Sequence, residues 1–391
     1  MRIWIAGGGT GGHVYPGLAV VQALVAERET RFLPLRLQKN LVSDALEFLY
    51  VGGEGGVEER LVERAGLRFV GVSAGGVHGL APGLIVQNLI KLSRGWWSAY
   101  QLGRRERPAA MFATGGYASV PVALAAWVLR VPILVYLPDI EPGLAVRAIA
   151  RLATQVAVTV EESRSYFPPF SSPPMGGKEG GKVVVTGYPV RAEFHGLDRA
   201  KARASLGLLP NGNEPVLLVM GGSTGARSIN QALSGVLEQV LELTQVVHVS
   251  GELDWPWVAE QREALSSALQ ARYHAFSYLH DVGDALAAAD LAVCRAGAST
   301  LGELPFFGLP SVLVPYPHAW RYQRVNAEWL IGRGAAVQVD DARLPEELLP
   351  TVRRLLSDRA ALESMSERMR SLARPDAAAQ LASKLLELAI S

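Results

Sequence analysis

Cysteine is almost missing from this 391-residue chain: Cys294 stands alone, so no intramolecular disulfide can form, and nothing points to an oxidising compartment. A single thiol inside an apolar run reads as a small buried side chain. Long uninterrupted apolar stretches are lacking too. The opening run Ile3, Trp4, Ile5 soon stops at glycine, which argues against a signal peptide. The later stretch "SVPVALAAWVLRVPILVYLP" is broken by Pro121, Arg130 and Pro132, so it reads as a helix followed by a buried strand and not as a span. The expectation is a cytoplasmic protein. Charge is sparse, at 19% of residues against 49% hydrophobic, and the net value is only +1. That balance excludes a disordered tail protein and leaves no footprint for nucleic acid. A mild asymmetry is present. Residues 1–190 carry 19 Lys and Arg against 14 Asp and Glu, and the remainder carries 19 against 23. The positive half suits an anionic surface or substrate.

Glycine and proline are plentiful, with 40 and 23 copies. Between them, short β-rich runs alternate with helical patterns: "IWIAG" then "GLAVVQALVAE", "PILVYL" then "GLAVRAIARLA", "VLLVMGG" then "SINQALSGVLEQVLE", and "LAVCRAG" then a helix from about Ser299. Such alternation implies βαβ units and mostly parallel sheets, whose doubly buried strands need near-continuous apolar runs. The pattern restarts near residue 215, so two α/β domains are expected. The boundary falls in "GYPVR", with 1–189 as the first domain and 190–374 as the second. A Pro-, Gly- and Ser-rich segment at 167–182 reads as a surface insertion. The stretch 375–391, with Leu381, Leu385 and Leu388 on one side, reads as an amphipathic helix able to pack back on the first domain.

Several glycine turns open helices. Such a turn exposes unpaired backbone N–H groups beside the positive end of the helix dipole, and glycine lets an anion come close. Gly7, Gly9 and Gly12 satisfy G-x-G-x-x-G, but the acidic ribose ligand that a dinucleotide fold wants is matched only by Glu54 in "LEFLYVGGEGG". "GGSTGA" at 221–226 and "RAGAST" at 295–300 repeat the device in the second half. Glycine turns on both halves fit a transferase with two substrates better than one dinucleotide site.

In order along the chain, "GGGTGGHVYPGLAV", "TGGYASVP", "GYPVR", "GGSTGARSINQAL" and "CRAGASTLGELPFFGLPSVLVPYPH" followed by "NA" resemble the motif series of the bacterial peptidoglycan N-acetylglucosaminyltransferases, which convert lipid I to lipid II. The resemblance implies a GT-B fold: two Rossmann-like α/β domains with mostly parallel sheets facing a cleft. It implies UDP-N-acetylglucosamine on the second domain, an undecaprenyl-diphosphate acceptor on the first, and inverting transfer without a metal or other cofactor. It further implies a peripheral enzyme on the cytoplasmic face of the cell membrane.

Chemically, the transfer needs a base for the attacking hydroxyl and positive groups for the departing diphosphate. His13, at the rim of the first glycine turn, is the candidate base; the alternative is a histidine that only satisfies the first helical turn. Thr10, Gly11, Gly12, Gly115, Gly116, Tyr117 and Asp139 are the acceptor candidates. On the donor side stand Arg191, Ser223, Leu279, Gly297, Ala298, Ser299, Thr300, Glu303, Tyr322 and Gln323. Glu303 resembles the ribose-binding glutamate of the family, although Thr300-x-x-Glu303 is also a capping-box pattern, and Arg191 can alternatively pin the interdomain joint. Residues 84–107 interleave Ile85, Leu89, Trp96, Trp97 and Tyr100 with Lys91, Arg94, Arg104, Arg105 and Arg107, the pairing of indole and cation that favours a lipid interface. Two positions depart from the family. Tyr322 replaces the first of a glutamine pair that contacts the donor sugar, and "YLPD" with Asp139 replaces the family's "HEQN". A related GT-B transferase with another sugar or lipid acceptor, or a silent nucleotide-sugar-binding protein, therefore stays open.

Overall fold

The computed structural model describes residues 1–8, 11–30, 46–75, 82–167, 183–209, 214–222, 225–318 and 321–391. Most of the expected insertion, and the candidates Thr10 and Ser223, lie outside the described residues. Two units emerge, one of Met1–Ala192 with Pro375–Ser391 and the other of Glu193–Arg374.

In the first unit the strands are β1 (Arg2–Gly7), β2 (Glu47–Gly53), β3 (Arg68–Val72), β4 (Ala110–Gly115), β5 (Ile133–Leu137), β6 (Gln155–Val158) and β7 (Val183–Val185). They form one parallel sheet in the order β3-β2-β1-β4-β5-β6-β7. Side chains alternate between its faces. Trp4 and Ala6 of β1 enter one buried cluster with Val122 and Ala126 of α4 (Ser119–Val128) and Ile149 of α5 (Leu144–Ala150). Ile3 and Ile5 enter the opposite cluster with Val14, Leu18 and Val21 of α1 (Gly11–Thr30) and Val62 of α2 (Val57–Arg64). Because both faces are covered, the strands are mostly apolar beyond their first residues, where Arg2, Glu47, Arg68 and Gln155 stand at the amino-end edge of the sheet. Leu381, Leu385 and Leu386 of the returning helix Ala377–Ile390 fill the second cluster beside α1.

The second unit repeats the plan with β8 (Val216–Met220), β9 (Gln245–Val249), β10 (Tyr273–Phe276), β11 (Leu291–Cys294), β12 (Ser311–Leu313) and β13 (Ala336–Gln338). All are parallel, in the order β10-β9-β8-β11-β12-β13. Asp198 caps α6 (Arg199–Ser205) by accepting from Lys201 N. The single helix expected over "SINQALSGVLEQVLE" is instead α7 (Arg227–Gly235) followed by a separate turn of helix, Leu237–Leu241. The break falls at Gly235 and β-branched Val236, both poor helix residues. Cys294 is buried, and burial pushes its thiol up to about 12, which makes it inert.

A polar chain crosses the core of the second unit. Asn230 donates its amide to Ser250 O at 2.8 Å and to Asp254 Oδ2 at 2.9 Å, so its oxygen faces His248 Nε2 at 3.0 Å and accepts a hydrogen bond from its N–H. His248 Nδ1 is then an acceptor for the Tyr273 hydroxyl at 2.6 Å. Arg227 Nε completes the series on Asp254 Oδ1 at 2.8 Å. The imidazole is thus fixed neutral in one tautomer, and burial lowers its pKa to about 4. An unfolded histidine titrates near 6.5, so this group's contribution is fully present above that pH and is lost as pH falls toward 4, about 3 kcal/mol in all. Denaturant unfolding of His248→Gln is expected to show a flatter loss of stability than wild type between those two pH values; equal slopes would contradict the buried neutral ring.

Candidate functional site

Both sheets reverse their strand order beside their first strand, at β1/β4 and at β8/β11. Ligands of open α/β sheets bind outside the carboxyl ends of the strands at such switch points. The glycine turns singled out in the sequence occupy these ends.

In the first unit α1 follows β1 in the chain, and β4 ends at Gly115, next to Gly116. Here main chain presses on main chain at Gly116, and a side-chain hydroxyl presses on main chain at Gly7. A Cβ on Gly116 (φ +84) would sit 2.3 Å from Gly8 O, and one on Gly7 would sit 2.1 Å from Thr114 Oγ1. Only glycine allows that approach. His13 is half-buried in the first turn of α1, and its Nδ1 lies 2.8 Å from Thr114 O. A carbonyl only accepts, so Nδ1 carries the proton and Nε2 of the neutral ring keeps its lone pair. Gly115 (φ +105) leaves the space that the ring takes, since a Cβ there would stand 3.1 Å from His13 Cε1. Gly11 is buried and Gly12 half-buried beside it, Tyr117 is exposed, and Asp139 is half-buried just beyond β5.

Three further residues shape this end of the sheet. The Thr114 hydroxyl donates to His13 O at 2.6 Å and the Tyr50 hydroxyl to Gly7 O at 3.0 Å. Glu58, buried in α2, accepts from Gly53 N at 2.9 Å, and a Cβ on Gly8 would meet its Oε1 at 2.3 Å. The acidic first turn of α2 after "GGEGG" was the available signal for Glu58; Glu54, the residue weighed for a ribose, is exposed. Arg191 lies in this unit, with its guanidinium 4.8 Å from the Tyr15 ring of α1. Ala192 N donates to Gln22 Oε1 at 3.2 Å, so the segment after "GYPV" is fastened along α1.

In the second unit Gly225 (φ +82) donates its N–H to Gly222 O at 2.8 Å and packs so tightly that a Cβ would meet Ser250 O at 2.4 Å. After β11 comes a 3-10 turn, Ala298–Leu301, and then the short helix Glu303–Phe307, where a longer helix from Ser299 was expected. Gly297 and Ser299 are half-buried, Ala298, Thr300 and Glu303 buried. The Thr300 hydroxyl donates to Gly297 O at 2.6 Å, and Gly302 caps the short helix without a side-chain bond, so the capping-box pattern is not realised. Arg295, absent from the candidates, ties the turn down: it donates to Ser228 Oγ at 2.7 Å and Val314 O at 3.2 Å, pairs with Asp341, and lies 5.1 Å over the Tyr316 ring. Leu279 is half-buried after β10. Tyr322 and Gln323 open the helix Tyr322–Ile331, and the Gln323 amide oxygen accepts from Tyr316 N at 2.8 Å, which commits half of that amide to the chain itself.

The basic aromatic segment is α3 (Pro82–Glu106). Gly95, Ala99 and Leu102 are buried against the sheet, while Leu89, Ile90 and Trp97 are exposed together with Lys91, Arg94, Arg104 and Arg105. Trp96, Trp97 and Tyr100 form a mutually packed group with ring centroids 5.8–6.1 Å apart. Among the described residues no helix is long and apolar enough to cross a membrane, and no group of three or more His, Cys, Asp or Glu side chains is placed to hold a metal ion.

The glycosyltransferase family 28 N-terminal domain matches residues 3–158 and the glycosyltransferase family 28 C-terminal domain matches residues 216–381. A UDP-N-acetylglucosamine–N-acetylmuramyl-(pentapeptide) pyrophosphoryl-undecaprenol N-acetylglucosamine transferase of Roseiflexus sp. (strain RS-1) is 44% identical, over 100% of this chain and 95% of the relative. A protein of the same name from Moorella thermoacetica is 38% identical over 96% of each. Among solved structures, MurG of Acinetobacter baumannii superposes with a TM-score of 0.70 at 24% identity, covering 99% of both chains. UDP-GlcNAc 2-epimerase of Neisseria meningitidis, bound to UDP-GlcNAc, superposes with 0.64 at 14% identity, covering 99% of this chain and 100% of the other. These likenesses establish the two-domain α/β GT-B fold.

The backbone packing around the first turn gives a paired prediction. Gly55 also has positive φ (+67), but open space surrounds it. Gly55→Ala is expected to cost about 1 kcal/mol from backbone strain alone, whereas Gly116→Ala adds a collision with the Gly8 carbonyl and should cost more than about 3 kcal/mol. Denaturant midpoints of the two variants check the difference, and similar midpoints would refute the close approach.

Proposed function

We infer the reaction from one premise: this chain belongs to the family of UDP-N-acetylglucosamine–N-acetylmuramyl-(pentapeptide) pyrophosphoryl-undecaprenol N-acetylglucosamine transferases, within glycosyltransferase family 28. It is a hexosyltransferase. It moves N-acetylglucosamine from UDP-N-acetylglucosamine to the undecaprenyl-diphosphate-linked muramoyl pentapeptide, lipid I, and so makes lipid II for peptidoglycan.

The observation that carries the mechanism is the His13 ring with its Nδ1–H given to Thr114 O. In our proposal the muramoyl 4-hydroxyl oxygen attacks the anomeric carbon of the donor sugar from the face opposite UDP. The bond from that carbon to the β-phosphate oxygen breaks, configuration inverts, and the hydroxyl proton passes to His13 Nε2. A neutral imidazole with Nδ1 bound to a carbonyl leaves Nε2 to accept that proton, which suits this step. The acceptor diphosphate would lie along the backbone of Thr10, Gly11, Gly12, Gly115 and Gly116, with Tyr117 and Asp139 at its sugar. These glycines leave main-chain N–H groups approachable by an anion.

On the donor side, Glu303 would accept from both ribose hydroxyls, as a carboxylate can. The uridine diphosphate would rest on Gly297, Ala298, Ser299 and Thr300, with Ser223 and Leu279 at its flanks. Tyr322 and Gln323 would reach the sugar, and Arg191 would supply charge to the leaving diphosphate. The chemistry assigned here asks for no resident metal or other cofactor.

We also propose that α3 rests on the cytoplasmic surface of the cell membrane. Exposed Leu89, Ile90 and Trp97 share the helix with exposed Lys91, Arg94, Arg104 and Arg105, which supports peripheral contact with anionic lipid.

UDP release with a short-chain lipid I analogue tests the assignment. His13→Ala is expected to lower kcat by about 100-fold or more with donor KM little changed, and Glu303→Ala to raise the donor KM chiefly. Turnover of UDP-glucose or UDP-galactose with none of UDP-N-acetylglucosamine would overturn it. For the membrane contact, Trp97→Ser with Arg94→Glu should abolish co-sedimentation with vesicles containing anionic phospholipid, and retention of binding would remove α3 from that role.

A further inference from the structure

The base at residue 13 stands on weak ground. Its helix begins with two glycines, and Pro16 has no N–H to give to the carbonyl of Gly12, so the first turn of α1 lacks a rung. A ring that must hold one orientation is mounted on a turn with little intrinsic stiffness. Something outside the helix has to hold it.

Thr114, at the carboxyl end of β4, meets residue 13 twice. Its carbonyl accepts from the ring Nδ1–H at 2.8 Å, and its hydroxyl donates to the His13 carbonyl at 2.6 Å. Residue 114 thus grips both the side chain and the main chain of residue 13. Its own freedom is small: the side chain is fully buried and β-branched, and its hydroxyl fills the space that Gly7 leaves by having no Cβ. A longer contact, 3.5 Å to Ala6 O, adds little.

We propose that Thr114 is a positioning residue for the transfer, its hydroxyl holding the first turn of α1 so that the imidazole of His13 is presented with Nδ1 protonated and Nε2 free. This rests on the reading of His13 as the base. Thr114 touches no reacting atom; it acts through the histidine. The loop end of β4 is therefore part of the catalytic apparatus through a side chain that a substrate never meets.

The test uses the full chain labelled with 15N-histidine, together with steady-state UDP release on the short-chain lipid I analogue. Thr114→Val removes the hydroxyl and keeps the shape, and Thr114→Ser keeps the hydroxyl. Wild type is expected to show the His13 signal, assigned with His13→Gln, as the Nδ1–H tautomer. Thr114→Val should lower kcat tenfold or more, leave the KM for UDP-N-acetylglucosamine within twofold, and mix the tautomers, while Thr114→Ser stays within threefold of wild type. A Thr114→Val enzyme with kcat within twofold and an unchanged tautomer overturns the proposal, as does a Thr114→Ser enzyme as slow as Thr114→Val. Should Thr114→Val fail to fold, an Nε2–H tautomer in wild type overturns it unaided. Full turnover by His13→Ala would defeat the base assignment itself, a result distinct from any of these.

Discussion

Everything at the first strand ends depends on backbone touching backbone. Gly8 O and Gly116 approach so closely that a single methyl group would fall 2.3 Å from the oxygen, and the same crowding recurs where Gly225 meets Ser250 O. Such contacts join strands that are neighbours in the sheet but far apart in the chain. The first of them lies where the strand order of its sheet reverses, between β1 and β4. A site for anions is then a by-product of topology, and the side chains added to it decide the chemistry.

The two units solve the same problem with different fasteners. In the first, the polar side chains Thr114, Tyr50 and Glu58 brace a turn made of glycine. In the second, Arg295 reaches across to Ser228, Asp341 and Tyr316, while Asn230 and His248 tie α7 to β9 beneath the surface. Thr114, Tyr50, Glu58, Asn230 and His248 are buried, and their groups have complementary donors and acceptors, as burial demands. Rigid strand ends of this kind keep polar ligating groups in register without help from the ligand.

Much of this was legible in the residues. Near-continuous apolar runs such as "IWIAG" and "VLLVM" could only be strands covered on both sides, and their alternation with helices required parallel sheets. The glycine turns and His13 announced themselves by residue type. What stayed hidden were partners set by tertiary pairing: Thr114 lies 101 residues from His13, and Arg295 lies 67 from Ser228. No local period reveals such pairs. Local rules also misled where the chain had other options. Thr300 spends its hydroxyl on Gly297 O instead of capping Glu303, and the helix drawn through Val236 breaks there. The exchange of glutamine for Tyr322 was visible at once, but the use of Gln323 Oε1 by Tyr316 N was not.

The helix Ala377–Ile390 inserts Leu381 and Leu385 into the hydrophobic layer under α1, although the whole of Glu193–Arg374 separates it from the remainder of that layer. A ribosome delivers residues in order, so the unit whose strands emerge first must wait for a segment translated after its companion. The nascent chain carries an uncovered greasy patch on α1 until that segment arrives, while residues 193–374 already hold everything their own core requires. The part begun first is finished last, and any pause or truncation beyond residue 374 would expose it to chaperones.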